Sequence, residues 1–246
     1  MNRYIFMYGT KGGVGKSTIA VNIAYAMSAA GAKVGLLDLD LSGPNVQNLI
    51  NGLAGQPPTM AGFRVQPGSF GGVGVSGLGF FVRPHEAGLL TGKYLEGALE
   101  QLLFHDGWDG YDHVIVDLPP GFGELHRQVF TRLPSRVVLI TTPHFLSTQD
   151  LSRGRALLGQ IGVGVSGVIE NMSEITCEHC GHASRLFASA VRDDFDDLPV
   201  LAQVPFAAGP DRPDGRNVPL VLTDGPAVDG FRSSLFSAAS QLAAGA

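Results

Sequence analysis

The chain has 246 residues, of which 44% are hydrophobic and 16% are charged, and its formal net charge is −5 at pH 7. This acidic balance argues against a general nucleic-acid-binding protein, because such proteins usually carry a basic surplus that neutralises phosphates. The sequence has no apolar stretch of about 18 residues and no signal-peptide pattern at its start, so we expect no membrane partner and a cytoplasmic location.

Apolar strands and amphipathic helices alternate along the chain. The predicted elements in chain order are a strand at 3–9, a helix at 16–31, strands at 33–40 and 73–80, a helix at 93–104, strands at 112–121 and 136–143, a helix at 147–160, strands at 162–172 and 199–206, and a helix at 227–245. This alternation favours parallel pairing, so we predict an α/β fold with a doubly wound, mainly parallel sheet flanked by helices. No linker or repeat divides the sequence, and we expect one domain over 1–246.

The segment GTKGGVGKST at 9–18 lies between the first predicted strand and the first predicted helix. In that setting a glycine-rich loop turns its backbone N–H groups, and the positive end of the helix, toward phosphates. Lys16 would reach the β- and γ-phosphates of ATP, and Ser17 would offer its hydroxyl to Mg²⁺. The predicted nucleotide-binding residues are Gly12, Gly13, Val14, Gly15, Lys16, Ser17 and Thr18.

The loop contains a second lysine, Lys11, and has Thr10 where the common pattern has its first glycine. KGGVGKS resembles the deviant phosphate loop of the MinD, ParA and nitrogenase iron-protein class of P-loop ATPases, which tolerates this departure. The resemblance implies that Lys11 reaches across a homodimer to the nucleotide of the other subunit. A second cation can balance charge that develops on the phosphates only if association brings it there. Lys11 and Lys16 are therefore predicted catalytic residues.

Carboxylates lie at the carboxyl ends of two of the predicted strands, where ligands bind in open α/β sheets. Asp117 takes the position that holds Mg²⁺ through water, and Asp38 is predicted to support the magnesium shell. Asp40 aligns with the class residue that orients or activates the attacking water. An isolated aspartate at such a place is more often a helix cap or a turn residue, but three beside a phosphate loop favour a metal site. PPGFGE at 119–124 is predicted to be a switch segment.

The two cysteines of the chain, Cys177 and Cys180, form the motif CEHC. Thiolates bind both iron–sulfur clusters and zinc, so the residues alone leave the two metals open. A [4Fe–4S] cluster usually needs four thiolates, and a two-fold dimer with the cysteines near its axis would supply them. His182 is a further conceivable zinc ligand, although we expect both His179 and His182 to be solvated loop residues.

Four motifs resemble those of one particular family within this class. DLDLSGPN, VIVDLPPGFGE, GVIENMSEITCEHCG and VLAQVPF follow one another as in the Mrp/ApbC family of iron–sulfur carrier ATPases, within residues 4 to about 222. The resemblance implies slow ATP hydrolysis, client apoproteins or assembly proteins as partners, and a cluster rather than zinc on Cys177 and Cys180. It also implies that Asn171 contacts the adenine. The sequence departs from the family at Glu124, where aspartate is common.

Two other hypotheses belong to different functional classes. The alternative is a ParA/MinD-type positioning or scaffold ATPase whose CEHC motif forms a zinc-stapled dimer. A basic surface or amphipathic tail would favour it, whereas the predicted helix at 227–245 has Arg232 as its only basic residue. An electron-transfer reductase like the nitrogenase iron protein takes one cysteine from each of two separated loops, whereas here both lie in one motif.

Overall fold

The computed structural model describes residues 3–40, 43–62, 64–81, 93–103, 106–177, 179–187, 195–207 and 214–245. The strands are β1 (Tyr4–Tyr8), β2 (Val34–Asp38), β3 (Gly55–Gln56), β4 (Thr59–Ala61), β5 (Arg64–Gln66), β6 (Gly68–Phe70), β7 (Val73–Gly77), β8 (His113–Asp117), β9 (Ser135–Thr141), β10 (Val165–Thr176), β11 (Ala183–Arg185) and β12 (Val200–Phe206). The helices are α1 (Lys16–Ala29), α2 (Val46–Leu49), α3 (Lys93–Leu103), α4 (Glu124–Arg132), α5 (Phe145–Gln160) and α6 (Pro226–Ala243). Among these residues, no helix is both long and apolar enough to cross a bilayer.

A ten-stranded sheet lies at the centre of the described part of the chain. Its parallel portion has the order β7-β2-β8-β1-β9-β10-β12. Strands β6 and β3 extend it antiparallel at one end, and β11 pairs antiparallel with the end of β10. Strands β4 and β5 form a separate hairpin. The predicted doubly wound, mainly parallel α/β fold is confirmed.

Helices cover both faces of the sheet, which explains why the central strands are apolar at nearly every position. On β1, Ile5 and Met7 pack into the core under α1 and α6, whereas Phe6 and Tyr8 pack into the core under α3, α4 and α5. All four side chains are fully buried. The parallel arrangement also brings the carboxyl ends of β1, β2 and β8 to one edge, directly before α1, α2 and α4.

Three differences from the predicted elements affect the site. The strand predicted at 162–172 is β10, and it continues to Thr176, immediately before the first cysteine. The segment predicted only as a switch is followed by helix α4, which buries Leu125 and Val129 at helical spacing. The short helix α2 was also not predicted, and a carboxylate from β2 holds its first turn.

Candidate functional site

The loop between β1 and α1 has the backbone conformation that a phosphate loop requires. Gly13 and Gly15 both have φ of +82°, in the left-handed region where a side chain is strained. A Cβ atom on Gly15 would lie 2.2 Å from Nδ2 of Asn171, so this position also lacks space. Among the described residues no side chain caps α1, and its first N–H groups face the loop without a side-chain acceptor. This helix terminus can bind an anion.

Lys16 and Asp117 form a buried ion pair at the base of the loop. The Lys16 ammonium group donates to Oδ1 of Asp117 at 3.1 Å, and the carboxylate is fully buried. Burial raises the pKa of Asp117, whereas the nearby Lys16 and Ser17 lower it. Oδ2 of Asp117 is buried and has no hydrogen-bond partner within the part of the chain that the structure describes. This oxygen and the Ser17 hydroxyl are hard donors of the kind that Mg²⁺ prefers, so these residues fit a magnesium ion.

Asp38 lies behind the site and holds the loop that follows β2. Its Oδ1 accepts from the backbone N–H of Asp40 at 2.9 Å, and its Oδ2 accepts from those of Asn45 and Val46 at 3.1 Å each. Two of these bonds cap the start of α2. Burial, and after it the neighbouring Asp117, raise the pKa of Asp38. The structure therefore gives Asp38 a clear role in fixing the loop, and its place in a magnesium shell stays a prediction.

An open pocket of about 590 Å³ joins the phosphate loop to the loops after β2 and β8. A volume of this size is in the range of small-molecule sites. All the residues from 11 to 18 line the pocket, together with Asp40 and Pro120. Six further lining residues were not predicted as site residues: Gly43, Asn45, Asn48, Leu49, Met172 and Asn217. Gly43, Asn45 and Met172 lie within quoted motifs without a predicted role, whereas the other three lie outside every motif.

Lys11 is held by its own chain in this structure. Its Nζ lies 3.0 Å from Oδ2 of Asp150 on α5, and both side chains are about one-third exposed. Partly exposed ion pairs of this kind contribute little to stability, so the lysine can exchange this partner for another at low cost. Asp150 was not predicted, because a contact over such a sequence separation leaves no local signal.

Asn171 contacts the phosphate loop directly. Its amide Nδ2 donates to the Val14 carbonyl at 2.9 Å, and the side chain is buried. The next residue, Met172, lines the pocket and has φ of +56°, the sole non-glycine residue with positive φ in the described ranges. The predicted adenine contact of Asn171 would have to replace or supplement its bond to the loop.

His126 of α4 lies against the predicted switch segment. Its Nδ1 is 3.1 Å from the backbone nitrogen of Gly123, and its Nε2 is 3.1 Å from the carbonyl oxygen of Pro119. Burial lowers the pKa of His126 to about 4, so the ring is neutral at neutral pH. His126 was not predicted as a site residue, because a histidine nine residues after Asp117 belongs to no pattern that indicates these contacts.

The two cysteines lie at the tip of the β10–β11 hairpin. The Cys177 N–H donates to the His182 carbonyl at 2.9 Å, and the Gly181 N–H donates to the Cys177 carbonyl at 2.8 Å. Both cysteines are exposed and neither is in a disulfide. Among the described residues, which include Cys177, Cys180 and His182, no three acidic, histidine or cysteine side chains are arranged to hold one metal ion.

The fold and the site together define the class of the protein. A phosphate loop between the first strand and first helix of a parallel sheet, with an acidic group at the end of a neighbouring strand, is the arrangement of the P-loop nucleotide-binding proteins. Residues 1–228 match the model of a ParA family described as the NUBPL iron-transfer P-loop NTPases. The chain therefore belongs to this family, and the predicted resemblance is confirmed.

Curated relatives agree with this family. The chain is 33% identical over 200 residues to the iron–sulfur cluster carrier protein of Haemophilus influenzae, covering 80% of this chain and 54% of that protein. It is 34% identical over 203 residues to that of Pseudomonas fragi, covering 80% and 70%. It is 35% identical over 202 residues to mouse iron–sulfur cluster transfer protein NUBPL, covering 80% and 63%. The matched region is about half to two thirds of the length of most of these curated relatives.

Solved structures show the same fold at lower identity. A nucleotide-binding protein from Archaeoglobus fulgidus, in complex with ADP, superposes with a TM-score of 0.66 at 22% identity and covers 96% of this chain and 88% of that one. The cell division ATPase MinD of Pyrococcus furiosus superposes with a TM-score of 0.68 at 20% identity, over the full length of both chains. At these identities the likeness establishes the fold, and it gives no preference for the positioning-ATPase hypothesis.

Proposed function

We propose that this chain is an ATP-hydrolysing iron–sulfur cluster carrier or assembly factor that works as a homodimer. Residues 1–246 would form one ATPase domain that carries the CEHC motif at 177–180. The observation that carries the proposal is the path of β10, which contacts the phosphate loop through Asn171 and ends at the exposed thiols. The names of the curated relatives support a cluster as the cargo.

The cargo would lie between two subunits. One chain has two cysteines, and both are exposed at one hairpin tip, so two copies related by a two-fold axis supply the four thiolates of a [4Fe–4S] cluster. Ile175 and Phe206 are paired in register beside the tip and are 41% and 44% exposed. Leu186, which directly follows the other strand of the hairpin, is 40% exposed. These three apolar side chains lie beside the hairpin whose two cysteines would supply half of the cluster ligands. An exposed apolar patch in this place fits a surface that a second copy of the chain would bury.

ATP would occupy the pocket with its phosphates on the loop from Gly12 to Thr18 and its charge balanced by Lys16. Ser17 and Asp117 would hold Mg²⁺, with Asp38 in support, and the ion would neutralise charge on the phosphate oxygens. Asp40 lines the pocket and would orient the water that attacks the γ-phosphorus, giving ADP and phosphate. Lys11 would leave Asp150 and reach the nucleotide of the other subunit.

ATP binding and hydrolysis would control cluster loading and release by changing the geometry of the dimer. ATP binding would order the phosphate loop and the switch segment, and hydrolysis would release them. Because Asn171 and Met172 contact the loop or the pocket, a change there acts on the strand that carries the hairpin. Cluster loading or release onto client apoproteins or assembly proteins would follow the resulting change in dimer geometry.

Anaerobic reconstitution with iron and sulfide tests the proposal. We expect about one four-iron cluster per dimer, or roughly two irons per chain, with the broad visible absorption of thiolate-bound iron. Loading should also move the protein from monomer to dimer in sedimentation, because a metal that only the dimer binds shifts association by mass action. A parallel sample with zinc serves as the control. Loaded protein that stays monomeric, or protein that takes only zinc when iron is abundant, would contradict the carrier function.

Cysteine variants identify the ligands. Cys177→Ser and Cys180→Ser should each lower bound iron and sulfide by about tenfold or more, because each removes two of the four thiolates in a dimer. ATP affinity should stay within about twofold of the wild type, since neither cysteine lines the nucleotide pocket. Ser184→Ala, an exposed change on the same hairpin, is the matched control and should load normally. Iron retained by both cysteine variants would exclude this site.

A further inference from the structure

The segment 119–123 connects the end of β8 to α4 and borders the nucleotide pocket through Pro120. Asp117 ends β8 two residues before this segment, so the segment and the predicted magnesium ligand share one piece of backbone. Pro120 and Gly123 are exposed, whereas Phe122 is half-buried and packs against the core. The packing of Phe122 does not by itself fix the backbone groups at the two ends of the segment.

The His126 side chain spans the segment from end to end. The Gly123 N–H can only donate and the Pro119 carbonyl can only accept, so Nδ1 is the acceptor and Nε2 carries the proton. A neutral imidazole with this tautomer satisfies both contacts at once. A protonated ring would present an N–H group to the Gly123 N–H and would break that bond.

The ring is itself held firmly. His126 is 3% exposed, stacks on Phe122 with 5.8 Å between ring centroids, and meets the Tyr8 ring edge-on at 5.7 Å. Phe122 is part of the segment, and Tyr8 ends the strand that leads into the phosphate loop. The imidazole thus holds the segment by two hydrogen bonds and packs against the strand beneath the site.

We propose that His126 is a positioning residue for the ATPase reaction, which fixes the segment 119–123 against the nucleotide pocket through both of its ring nitrogens. The inference rests on the proposed ATPase function and deepens it. A helix cap alone would need only the bond from Gly123, which lies at the start of α4. The second bond reaches Pro119, outside the helix, and that contact is the one a purely local cap does not explain.

Three substitutions separate hydrogen bonding from packing. His126→Phe keeps an aromatic ring between Phe122 and Tyr8 but removes both hydrogen bonds. His126→Gln loses the ring but keeps one acceptor and one donor on a single group. Val129→Ala removes a buried contact elsewhere on α4 and is the matched control for a general loss of packing.

We expect His126→Phe to lower kcat for ATP by about tenfold while the ATP dissociation constant changes less than about threefold. His126→Gln should recover most of the lost kcat, although it packs less well. Val129→Ala should lower the melting temperature without lowering kcat. Wild-type kcat in His126→Phe, or an equal loss in Val129→Ala, would overturn the proposal.

Hydrogen exchange provides a readout that does not depend on turnover. In the wild type, ATP should slow amide exchange across 121–123, and this slowing should be lost in His126→Phe and kept in His126→Gln. Equal slowing in His126→Phe would overturn the positioning role. A wild type whose segment responds to ATP but which does not hydrolyse it would instead count against the proposed ATPase function, so the two failures are distinguishable.

Discussion

Lys11→Ala is expected to abolish ATP turnover, by about a thousandfold, while ATP affinity falls only slightly. The size of the effect follows from the role, because a cation supplied in trans to a transferring phosphoryl group typically accelerates the reaction by this much or more. Affinity survives because Lys16, not Lys11, is the buried lysine at the base of the loop. Single-turnover assays at several protein concentrations, beside equilibrium titration of ATP, measure the two effects separately.

The ion pair with Asp150 supplies the control for this experiment. Asp150→Ala removes the partner that holds Lys11 within its own chain but leaves the cation in place. Turnover in this variant should be at least as high as in the wild type, and the dependence on protein concentration should persist. Turnover per subunit that depends neither on Lys11 nor on protein concentration would exclude a role across the dimer.

Lys16→Ala is expected to weaken ATP binding by about a hundredfold or more. Each hydrogen bond between an ammonium group and a phosphate oxygen is worth about 1.5–3 kcal/mol, and Lys16 would make contacts with two phosphates. Calorimetric titration with ATP and Mg²⁺ measures the loss. Lys33→Ala, which removes an exposed lysine far from the loop, is the matched control and should bind normally.

The loss of ATP affinity in Lys16→Ala has to be distinguished from a loss of stability in the same variant. Removing Lys16 leaves the fully buried Asp117 without its partner, which destabilises the fold unless the carboxyl takes up a proton. Adding Asp117→Asn to Lys16→Ala should restore part of the lost thermal stability but none of the ATP affinity. Unchanged ATP affinity in folded Lys16→Ala protein would refute the assignment of the phosphate loop.

The fold was predictable because its signals are local and repeated. Buried parallel strands require continuous apolar runs, and the segments around β1, β8 and β9 contain them. The phosphate loop was predictable for the same reason, since glycines with positive φ, the lysine and the helix start are adjacent in sequence. Strands such as β3 and β6 have two or three residues and exist only through their pairing partners, so the sequence around them gave no pattern.

Part of the candidate site was predictable, namely the residues whose type and position in a motif both indicate nucleotide binding. Asp40 and the loop residues line the pocket. The capping of α2 by Asp38 was not predicted, because a strand-end aspartate has the same sequence context whether or not the backbone of Asn45 and Val46 lies beside it in space. Asp150 and His126 were missed because their partners are distant in sequence or are backbone atoms, which no motif encodes.

The pairing of β10 with β12 fixes the stretch of strand between the nucleotide pocket and the cysteines. Whether the number of residues in that stretch is odd or even decides which face of the sheet the cysteines take. Asn171 lies opposite Val204 and Ile175 lies opposite Phe206, so β10 spans four residues where β12 spans two. Side chains alternate along a strand, and the register shift between Asn171 and Ile175 sets which face each later residue takes. Deleting one residue between Asn171 and Cys177 would turn the thiols to the opposite face, whereas deleting two would keep the face and move them by about 7 Å. Strand register, rather than any one side chain, therefore determines where the thiols stand relative to the phosphate loop.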